Sequence, residues 1–419
     1  MWANIQVTRL INSGLPRKSE HIIVLLTGAR QTGKTTLLRS VYPELAYYNL
    51  DAVEFRDQLS RISSFSWARD VGDAVIDEIQ KEPALMNKLK YAFDEGDLNF
   101  TVLSGSAQIL LLKNTKETLA GRILLLELFP LMLSELIHGR EAEIPVPLFA
   151  RLIDASSPSD ILKKLPTTIL GENWDKAISA EDYILKYGGM PALLHLADHN
   201  KKSAWLKDYS TAYLERDLTE LARLNDLMPF RTFQQLAALR SANLLSYSEL
   251  ARDAGIGTET ARRYIEYLRL SYQTILLYPY HKNLTSRLVK TPKIYWLDNG
   301  LLRQLAGYGF DLMNGQIYEN YIAAEMVKYI KTVKSGARLS FYRTRSGMEI
   351  DFCIETEKGL IAIEAKNRNS ISKKDYSSLN KLKESAGNNW LSGLVLYRGN
   401  QIEELSEGIW AIPSCRLFS

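Results

Sequence analysis

Residues 28–35 read Gly-Ala-Arg-Gln-Thr-Gly-Lys-Thr, and this stretch is the strongest indication of the fold in the first part of the chain. It fits the pattern G-x4-G-K-[ST], follows the apolar run at residues 22–26 and leads into a helical pattern that starts at Thr36. In such a unit the glycines let backbone N–H groups turn towards a phosphate, and the helix N-terminus adds positive potential. The alternative is a chance glycine-rich turn, which would explain neither the strand nor the helix. The stretch therefore predicts a phosphate-binding loop.

A second apolar strand, at residues 74–76, ends in Asp77 and Glu78. We expect this strand to lie adjacent to the first one and to bring both carboxylates beside the loop. Asp77 and the Thr35 hydroxyl would hold Mg²⁺, Lys34 would contact the β and γ phosphate oxygens, and Glu78 would polarise the attacking water. A charged turn after a core strand is the alternative. The two motifs together predict a Mg²⁺-dependent ATPase.

The predicted nucleotide contacts come from the loop, the start of the helix and the ends of two strands: Gly28, Ala29, Arg30, Gln31, Thr32, Gly33, Lys34, Thr35, Thr36, Asp77 and Ser106. Ser106 follows the next strand, where it could sense the γ-phosphate or simply form a turn. Arg122, just before the fifth strand, could stabilise transition-state charge in its own or a neighbouring subunit, whereas a surface or structural arginine is the alternative. Whether Arg122 acts in cis or in trans stays open.

Composition and pattern divide the chain into four segments. The 419 residues are 46% hydrophobic and 24% charged, which is enough apolar material for several globular domains. To about residue 145, short β-branched runs alternate with helical patterns, which is typical of a parallel sheet flanked by helices. Residues 146–229 read mainly as helix, residues 230–293 as a small helical module with strands, and residues 294–419 as an α+β domain.

Cysteine content and hydropathy bear on the compartment. The only two cysteines, Cys353 and Cys415, exclude a disulfide framework and a cysteine-based zinc site, and they favour a reducing compartment. The longest apolar stretch, residues 123–137, is interrupted by charged residues and a proline, and the first ten residues do not read as a signal peptide. We therefore expect a cytoplasmic protein with no membrane span.

The stretch at residues 246–268 reads as helix, glycine turn and helix. Ala261, Tyr264, Ile265 and Leu268 recur at helical spacing and predict the buried stripe of the second helix. A strand at 274–278 follows, and then an acid-free run with four basic residues, Lys282, Arg287, Lys290 and Lys293. This pattern predicts a winged helix with a basic wing that contacts DNA phosphates. A protein-contact module with solvated charges is the alternative.

A second set of carboxylates lies near the C-terminus. Glu319 falls on a predicted helix at residues 316–329, and Asp351 and Glu364 fall on strands that a hairpin could place side by side. Period-two alternation puts Glu364 and Lys366 on one face. Asp351 and Glu364 could hold Mg²⁺, with Glu319 reaching in from the helix and Lys366 orienting the water.

The acid-free run between Met326 and Met348 contains six basic residues, which predict a track for a phosphate backbone: Lys328, Lys331, Lys334, Arg338, Arg343 and Arg345. A solvated face, or a fold retained without its chemistry, is the alternative for this region.

The chain resembles the bacterial and archaeal AAA-type ATPases that carry a C-terminal domain of unknown function. The resemblance rests on the motifs above and on three further segments: Leu-Ala-Gly-Arg ending at Arg122, Tyr-Leu-Glu-Arg-Asp at 213–217 and Asp-Asn-Gly-Leu at 298–301. Those proteins are placed near the signal-transducing ATPases with numerous domains, and their tail is similar to the restriction-endonuclease-like PD-(D/E)xK fold. The resemblance spans nearly the whole chain.

The resemblance implies an AAA-type P-loop ATPase domain at 1–145, a helical connector at 146–229, a winged helix-turn-helix at 230–293 and a nuclease-like domain at 294–419. Carried onto this sequence, its nucleotide residues are Gly33, Lys34, Thr35, Asp77 and Glu78. Its nuclease-like residues are Glu319, Asp351, Glu364 and Lys366. This chain has Ile350 where the usual nuclease pattern has proline.

The sequence therefore predicts a protein that binds and hydrolyses ATP with Mg²⁺ and couples this cycle to a C-terminal region acting on or near DNA. The competing hypothesis is a nucleotide-regulated scaffold or regulator, in which an inactive nuclease-like domain binds DNA or protein. A homo-oligomer and a protein partner are both compatible with the sequence.

Overall fold

The computed structural model describes residues 7–105, 119, 121–169, 171–213, 227–280, 291–344 and 346–419. Its N-terminal part contains a five-stranded parallel sheet. The strands are β1 (Ile22–Thr27), β2 (Ala46–Asn49), β3 (Ala74–Asp77), β4 (Phe100–Gly105) and β5 (Ile123–Glu127). Their order is β2-β3-β4-β1-β5, and all neighbours run parallel.

Helices cover both faces of this sheet: α1 (Lys34–Val41), α2 (Val53–Arg61), α3 (Trp67–Asp70) and α4 (Leu85–Asp94). Successive side chains of a strand point to opposite faces. Ile23 and Leu25 accordingly join one apolar cluster, whereas Val24 and Leu26 join another with residues of α1. The predicted parallel sheet flanked by helices is confirmed.

One prediction about this sheet is wrong. The strand that carries Asp77 does not lie adjacent to β1, because β4 is inserted between them and pairs with both. The carboxylate nevertheless reaches the loop, since β3 and β1 both end at the same edge of the sheet.

The next segment is helical, as predicted. Helix α5 (Leu133–His138) still falls within the predicted segment 1–145. The described residues from 146 on contain α6 (Leu148–Ile153), α7 (Pro158–Lys163), α8 (Glu172–Tyr187), a 3₁₀ turn at Pro191–His195, α9 (His199–Asp208) and a π-helical turn at Tyr209–Tyr213. This segment is not a free-standing connector, because α5 to α8 share one apolar core with the C-terminal sheet. Phe149, for example, packs with Phe418 at 5.7 Å between ring centroids.

Three helices and a hairpin follow: α10 (Met228–Leu239), α11 (Tyr247–Asp253), α12 (Thr258–Leu270), β6 (Thr274–Leu277) and β7 (Lys293–Trp296). The predicted stripe on α12 is buried in the core of this unit. Strands β6 and β7 pair antiparallel, and β7 continues past the predicted boundary at 293. Residues 281–290, with Lys282, Arg287 and Lys290 of the predicted wing, lie outside the described residues.

The C-terminal part is an α+β unit, as predicted. It contains α13 (Asn299–Ala306), α14 (Gly315–Thr332), β8 (Arg338–Arg343), β9 (Glu349–Thr356), β10 (Gly359–Lys366), α15 (Ser377–Ala386), β11 (Trp390–Tyr397), β12 (Glu403–Ser406), β13 (Ile409–Pro413) and α16 (Ser414–Phe418). The sheet order is β12-β13-β11-β10-β9-β8. Strands β8, β9 and β10 form an antiparallel meander, and β11 returns parallel to β10 after α15.

Across the described parts of the chain, we find no helix that combines the length and the apolar character needed to cross a bilayer.

Candidate nucleotide-binding site and C-terminal carboxylate cluster

The backbone between β1 and α1 has the shape that a phosphate loop requires. Gly28 has φ 150°, and a Cβ there would lie 2.1 Å from the Leu128 carbonyl oxygen, so only glycine fits. Gln31 (φ 65°) and Gly33 (φ 93°) are left-handed, and such residues next to right-handed ones form concave anion-binding nests. The Lys34 ammonium lies within the loop and donates to the carbonyls of Gly28 and Ala29, both at 2.9 Å.

The Asp77 carboxylate is buried at the end of β3 and gathers donors from several elements. The Thr35 hydroxyl donates to its Oδ2 at 2.7 Å, the Tyr47 hydroxyl donates to the same atom, and the Ser104 hydroxyl donates to Oδ1. Burial, followed by the Asp77 contact, raises the pKa of Tyr47 well above its ordinary value, so this phenol stays a donor. Thr35 and Asp77 thus lie together as predicted.

Ser104, at the end of β4, makes the contact next to Asp77, whereas Ser106 lies outside the described residues. The insertion of β4 between β1 and β3 explains this position, because it places the end of β4 between the loop and Asp77. Tyr47 was not predicted at all. Its signal in the sequence is weak, since a tyrosine on a short strand reads as an ordinary core residue.

Glu78 follows Asp77 with a left-handed backbone (φ 60°), and Gln80 donates to its carboxylate. Burial raises the pKa of Glu78, and the charge of Lys34 opposes this shift only in part. Glu78 lines a cavity of about 490 Å³ together with six of the predicted contacts, which are Arg30, Gln31, Gly33, Lys34, Thr35 and Thr36. The predicted base therefore faces open space beside the phosphate loop.

A second cavity, of about 330 Å³, continues from the first. Its walls are residues 7–12, the start of α1, Leu131 and the turn at Pro191–His195. It shares Gly33, Thr36, Pro191 and His195 with the first cavity. Nothing in the sequence pattern predicted this cavity, because its walls come from four separate parts of the chain.

Arg9 supports the phosphate loop by bonding to its backbone. Its guanidinium is buried, donates to the Thr32 carbonyl at 2.9 Å and the Phe129 carbonyl at 2.6 Å, and lies 3.1 Å from the Glu135 carboxylate. Glu135 in turn accepts from the Leu10 amide at 2.8 Å. This residue too was missed by sequence reasoning, since its partners lie 23 to 126 positions away.

Arg122 does not approach the phosphate loop of its own chain. Strand β5 pairs parallel with β1, Ile123 lies opposite Ile23, and Arg122 therefore lies at the sheet edge opposite to the loop. Its guanidinium Nη2 donates to the Asp94 carboxylate at 3.0 Å. The cis alternative for Arg122 is wrong for this geometric reason, and the trans alternative stays a prediction.

The C-terminal carboxylates lie on the predicted hairpin. Strands β9 and β10 are antiparallel with Phe352 opposite Ile363, which places Asp351 beside Glu364. The Lys366 ammonium lies 2.6 Å from Glu364 Oε2 and 3.7 Å from Asp351 Oδ2. The predicted hairpin and the shared face of Glu364 and Lys366 are confirmed.

Glu319 on α14 completes this cluster with two unpredicted partners. Its Oε1 accepts from the Tyr295 hydroxyl at 2.7 Å and from the Lys293 ammonium at 3.1 Å. Burial, and then the charge of Asp351, raises the pKa of Glu319 to about 7 and that of Glu364 to about 8.

A divalent metal ion does not fit the C-terminal cluster as the side chains stand. Its carboxylates are engaged by lysines, and within the described ranges no three side chains of histidine, cysteine, aspartate or glutamate are arranged to hold a metal ion. The predicted metal ligands Asp351 and Glu364 are therefore neighbours in an ion-pair network here.

The predicted basic surfaces need correction. Lys293 is buried among carboxylates, so it cannot belong to an exposed wing. In the predicted track, Lys328 is buried against Glu325 at 2.5 Å, and Lys331 lies 3.5 Å from Glu127. Arg343 likewise lies 3.3 Å from Glu349, and Arg345 is outside the described residues. Although the run itself contains no acid, several of its basic side chains pair with acids from outside the run. These residues therefore do not form a continuous track for a phosphate backbone.

One buried turn connects the nucleotide cavity to the C-terminal half. The Asp298 carboxylate accepts from the Gly189 amide at 2.7 Å and the Leu301 amide at 2.9 Å. Gly189 also accepts from the Leu131 amide at 2.7 Å, and a Cβ on Gly188 would lie 2.1 Å from Asp298. The turn that leads into Pro191–His195 is thus held by Asp298, which precedes α13, and by Leu131.

Sequence comparisons match three families in different parts of the chain. Residues 20–137 match the AAA domain, residues 179–311 match a domain of unknown function, DUF8612, and residues 314–417 match another, DUF4143. An uncharacterized protein of Mycobacterium tuberculosis is 28% identical over 414 residues, which cover 95% of this chain and 81% of the relative. An uncharacterized protein of Methanocaldococcus jannaschii is 23% identical over 358 residues, covering 81% and 74%.

Among solved structures, a Walker-type ATPase of Pyrococcus abyssi is 16% identical, with a TM-score of 0.40, and covers 68% of this chain and 90% of its own. A signal transduction ATPase with numerous domains from Pyrococcus horikoshii is 10% identical, with a TM-score of 0.24, over 79% of this chain and 48% of its own. The AAA match covers the parallel sheet, the phosphate loop and Asp77, so the N-terminal part of this chain is similar to the P-loop ATPase domains of the AAA family.

Proposed function

We propose that this protein binds and hydrolyses ATP with Mg²⁺ at the edge of the parallel sheet. One observation carries the proposal: the Thr35 hydroxyl, which is bonded to the buried Asp77 carboxylate, lines a cavity of about 490 Å³ that Lys34 and Glu78 also line. Hydroxyl and carboxylate oxygens are the ligands that Mg²⁺ takes at phosphate sites, where waters and phosphate oxygens supply the rest.

The chain's own residues divide the work of this reaction. Backbone N–H groups of the loop and the start of α1 would hold the phosphates, and Lys34 would leave its carbonyl partners for the β and γ oxygens. Thr35 and Asp77 would hold Mg²⁺, which supplies neutralisation of the charge that develops on the phosphate oxygens. Glu78 would accept a proton from the attacking water, and its raised pKa makes it a stronger base than an ordinary carboxylate.

The nucleoside would occupy the second cavity. That cavity begins where the phosphate cavity ends, at Gly33 and Thr36, and it has apolar walls from Leu37, Leu131 and Leu194. Another wall of this cavity is the turn at Pro191–His195, which Asp298 holds through the Gly189 amide. Nucleotide occupancy would therefore bias the position of the C-terminal half.

We propose that the three helices and hairpin at 228–296 are a winged helix, and that the C-terminal sheet has the restriction-endonuclease-like fold. The order of helices and strands supports the first assignment, and the meander β8-β9-β10 followed by a helix and a parallel strand supports the second. DNA is the proposed partner of these modules, and ATP hydrolysis would change how they are presented to it.

A second candidate function is that of a nucleotide-regulated scaffold or regulator whose C-terminal domain does no chemistry. The engagement of Glu319 by Lys293 and of Glu364 by Lys366 favours this candidate over a nuclease, because a metal ion would have to compete with both ammonium groups.

The test of the proposed ATPase is the variant Glu78→Gln, with the exposed Glu54→Gln as its control. Removing the base should leave binding of a fluorescent ATP analogue within a few-fold of the wild type and slow phosphate release by on the order of 10²–10⁴-fold. Glu54→Gln should change neither. Phosphate release by Glu78→Gln at the wild-type rate would contradict the assigned site.

A further inference from the structure

Lys293 lies at the start of β7, but its side chain points away from the surface that a wing would present. Only 4% of the side chain is exposed. The backbone that follows it is fixed, because the Ala242 amide donates to Ile294 at 2.7 Å and the Trp296 amide donates to the Asn320 side chain at 2.7 Å. Strand β7 is thus bonded to α14, the helix that carries Glu319.

The ammonium of Lys293 bridges two carboxylates. It lies 3.1 Å from Glu319 Oε1 and 2.5 Å from Glu349 Oε1, and the Phe341 ring lies 5.6 Å away. Burial alone would lower the pKa of Lys293, but the charges of Glu319, Asp351 and Glu349 outweigh it and raise the pKa. This lysine therefore carries its positive charge inside the cluster.

The other half of the cluster has its own ammonium group. Lys366 lies 2.6 Å from Glu364 and within 3.7 Å of Asp351. Two lysines together bring two positive charges, the same number that a Mg²⁺ or Mn²⁺ ion would bring to these carboxylates. Coulomb repulsion between a divalent ion and two ammonium groups a few ångströms away is strong in a buried site, so the lysines and the metal compete.

We propose that Lys293 is the resident cation of the C-terminal carboxylate cluster and excludes a divalent metal ion from it. The resemblance of this domain to metal-dependent nucleases implies a metal ion at Asp351 and Glu364, and the structure disagrees with that implication. The last residue of an acid-free sequence run that predicts DNA contacts instead turns inward and neutralises Glu319 and Glu349.

Titration of nucleotide-free protein with Mn²⁺, followed by electron paramagnetic resonance, tests this proposal. Without nucleotide the wild type should bind no Mn²⁺ at millimolar concentration. Lys293→Met should gain one bound Mn²⁺ per chain, and Lys293→Met combined with Glu319→Gln should lose it again. Lys381→Met, an exposed lysine on α15, is the matched control and should behave as the wild type.

Two results would overturn the proposal. One is Mn²⁺ binding by the wild type that Glu364→Gln abolishes, because the cluster would then accept metal with Lys293 in place. The other is a folded Lys293→Met variant that gains no Mn²⁺. If Lys293→Met does not fold, Lys293→Gln, which can still donate to Glu319, takes its place with the same expected gain. None of these arms involves ATP, so failure of the ATPase assignment would not affect them.

Discussion

The phosphate-loop site and the C-terminal cluster contain the same residue types in different relations. In the first, Lys34 donates to loop carbonyls, Thr35 and Glu78 line an open cavity, and the buried Asp77 is bonded to Thr35. In the second, Lys293 and Lys366 lie directly on the carboxylates. The sequence patterns alone predict a Mg²⁺ site in both places. The partners of the lysines separate a site prepared for a ligand from one that is already neutralised.

Replacing one lysine in each site should give the largest difference between the two sites. Lys34→Ala should weaken ATP binding and reduce hydrolysis by at least about 100-fold, because the loop loses the ammonium group that would contact the β and γ phosphate oxygens. Lys366→Ala should leave both unchanged. Binding is measured with a fluorescent nucleotide and hydrolysis by phosphate release; equal losses in the two variants would mean that the sites are not independent.

The connection between the two halves depends on Asp298. Asp298→Ala removes the acceptor of two buried amides and should lower the free energy of unfolding by about 3–6 kcal/mol, since each hydrogen bond to a charged group contributes about 1.5–3 kcal/mol. Asp298→Asn keeps one acceptor oxygen and should lose less. Urea denaturation followed by tryptophan fluorescence measures this, and equal stability of Asp298→Ala and the wild type would show that the turn is not held here.

Glu181 on α8 shows what a buried carboxyl does without a close lysine. Burial is the main cause that raises its pKa to about 7, and the Ser414 hydroxyl at 2.6 Å and the more distant Arg398 offset it only in part. The folded state therefore keeps its proton longer than the unfolded state, so stability should fall as pH rises from about 4.5 to about 7. Glu181→Gln should remove this slope, a difference of roughly 3 kcal/mol at pH 8, with little effect at pH 4. Urea midpoints against pH are the measurement, and parallel profiles of both proteins would contradict the assignment.

Arg9 supports the loop without touching its cavity-facing charges, so its effect should be smaller than that of Lys34. Arg9→Ala frees the Thr32 and Phe129 carbonyls and should raise the Kd for ATP on the order of ten-fold while kcat changes little. Lys18→Ala, an exposed neighbour in sequence, is the control. A loss confined to kcat would place Arg9 in the chemical step instead.

The sequence predicted well where pattern and function lie in one stretch of chain. The five strands of the first sheet, the loop at 28–35, the Asp77 position, the α12 stripe and the β9-β10 hairpin all follow from local periodicity and glycine placement. The elements after Lys366 were not predicted, because their short apolar runs carry no motif.

Contacts between distant segments were beyond local pattern. The position of β4 next to β1 depends on how a whole sheet assembles, and it determines that Ser104 meets Asp77. Arg9 and Lys293 find their carboxylates far along the chain, and no spacing rule connects them. In the acid-free run at 326–348, Lys331 likewise pairs with the distant Glu127. Lys328 and Arg343 instead pair with Glu325 and Glu349, which lie just outside the run.

The number of metal ions that the wild type binds in the presence of nucleotide shows whether the phosphate-loop site alone accepts a metal ion. Equilibrium binding of Mn²⁺ in saturating ADP should give one ion per chain, lost in Asp77→Asn and retained in Glu364→Gln, because Asp77 is bonded to Thr35 beside the phosphate cavity and the C-terminal cluster is occupied by its lysines. Two ions per chain, or one ion that depends on Glu364 and not on Asp77, would contradict this account.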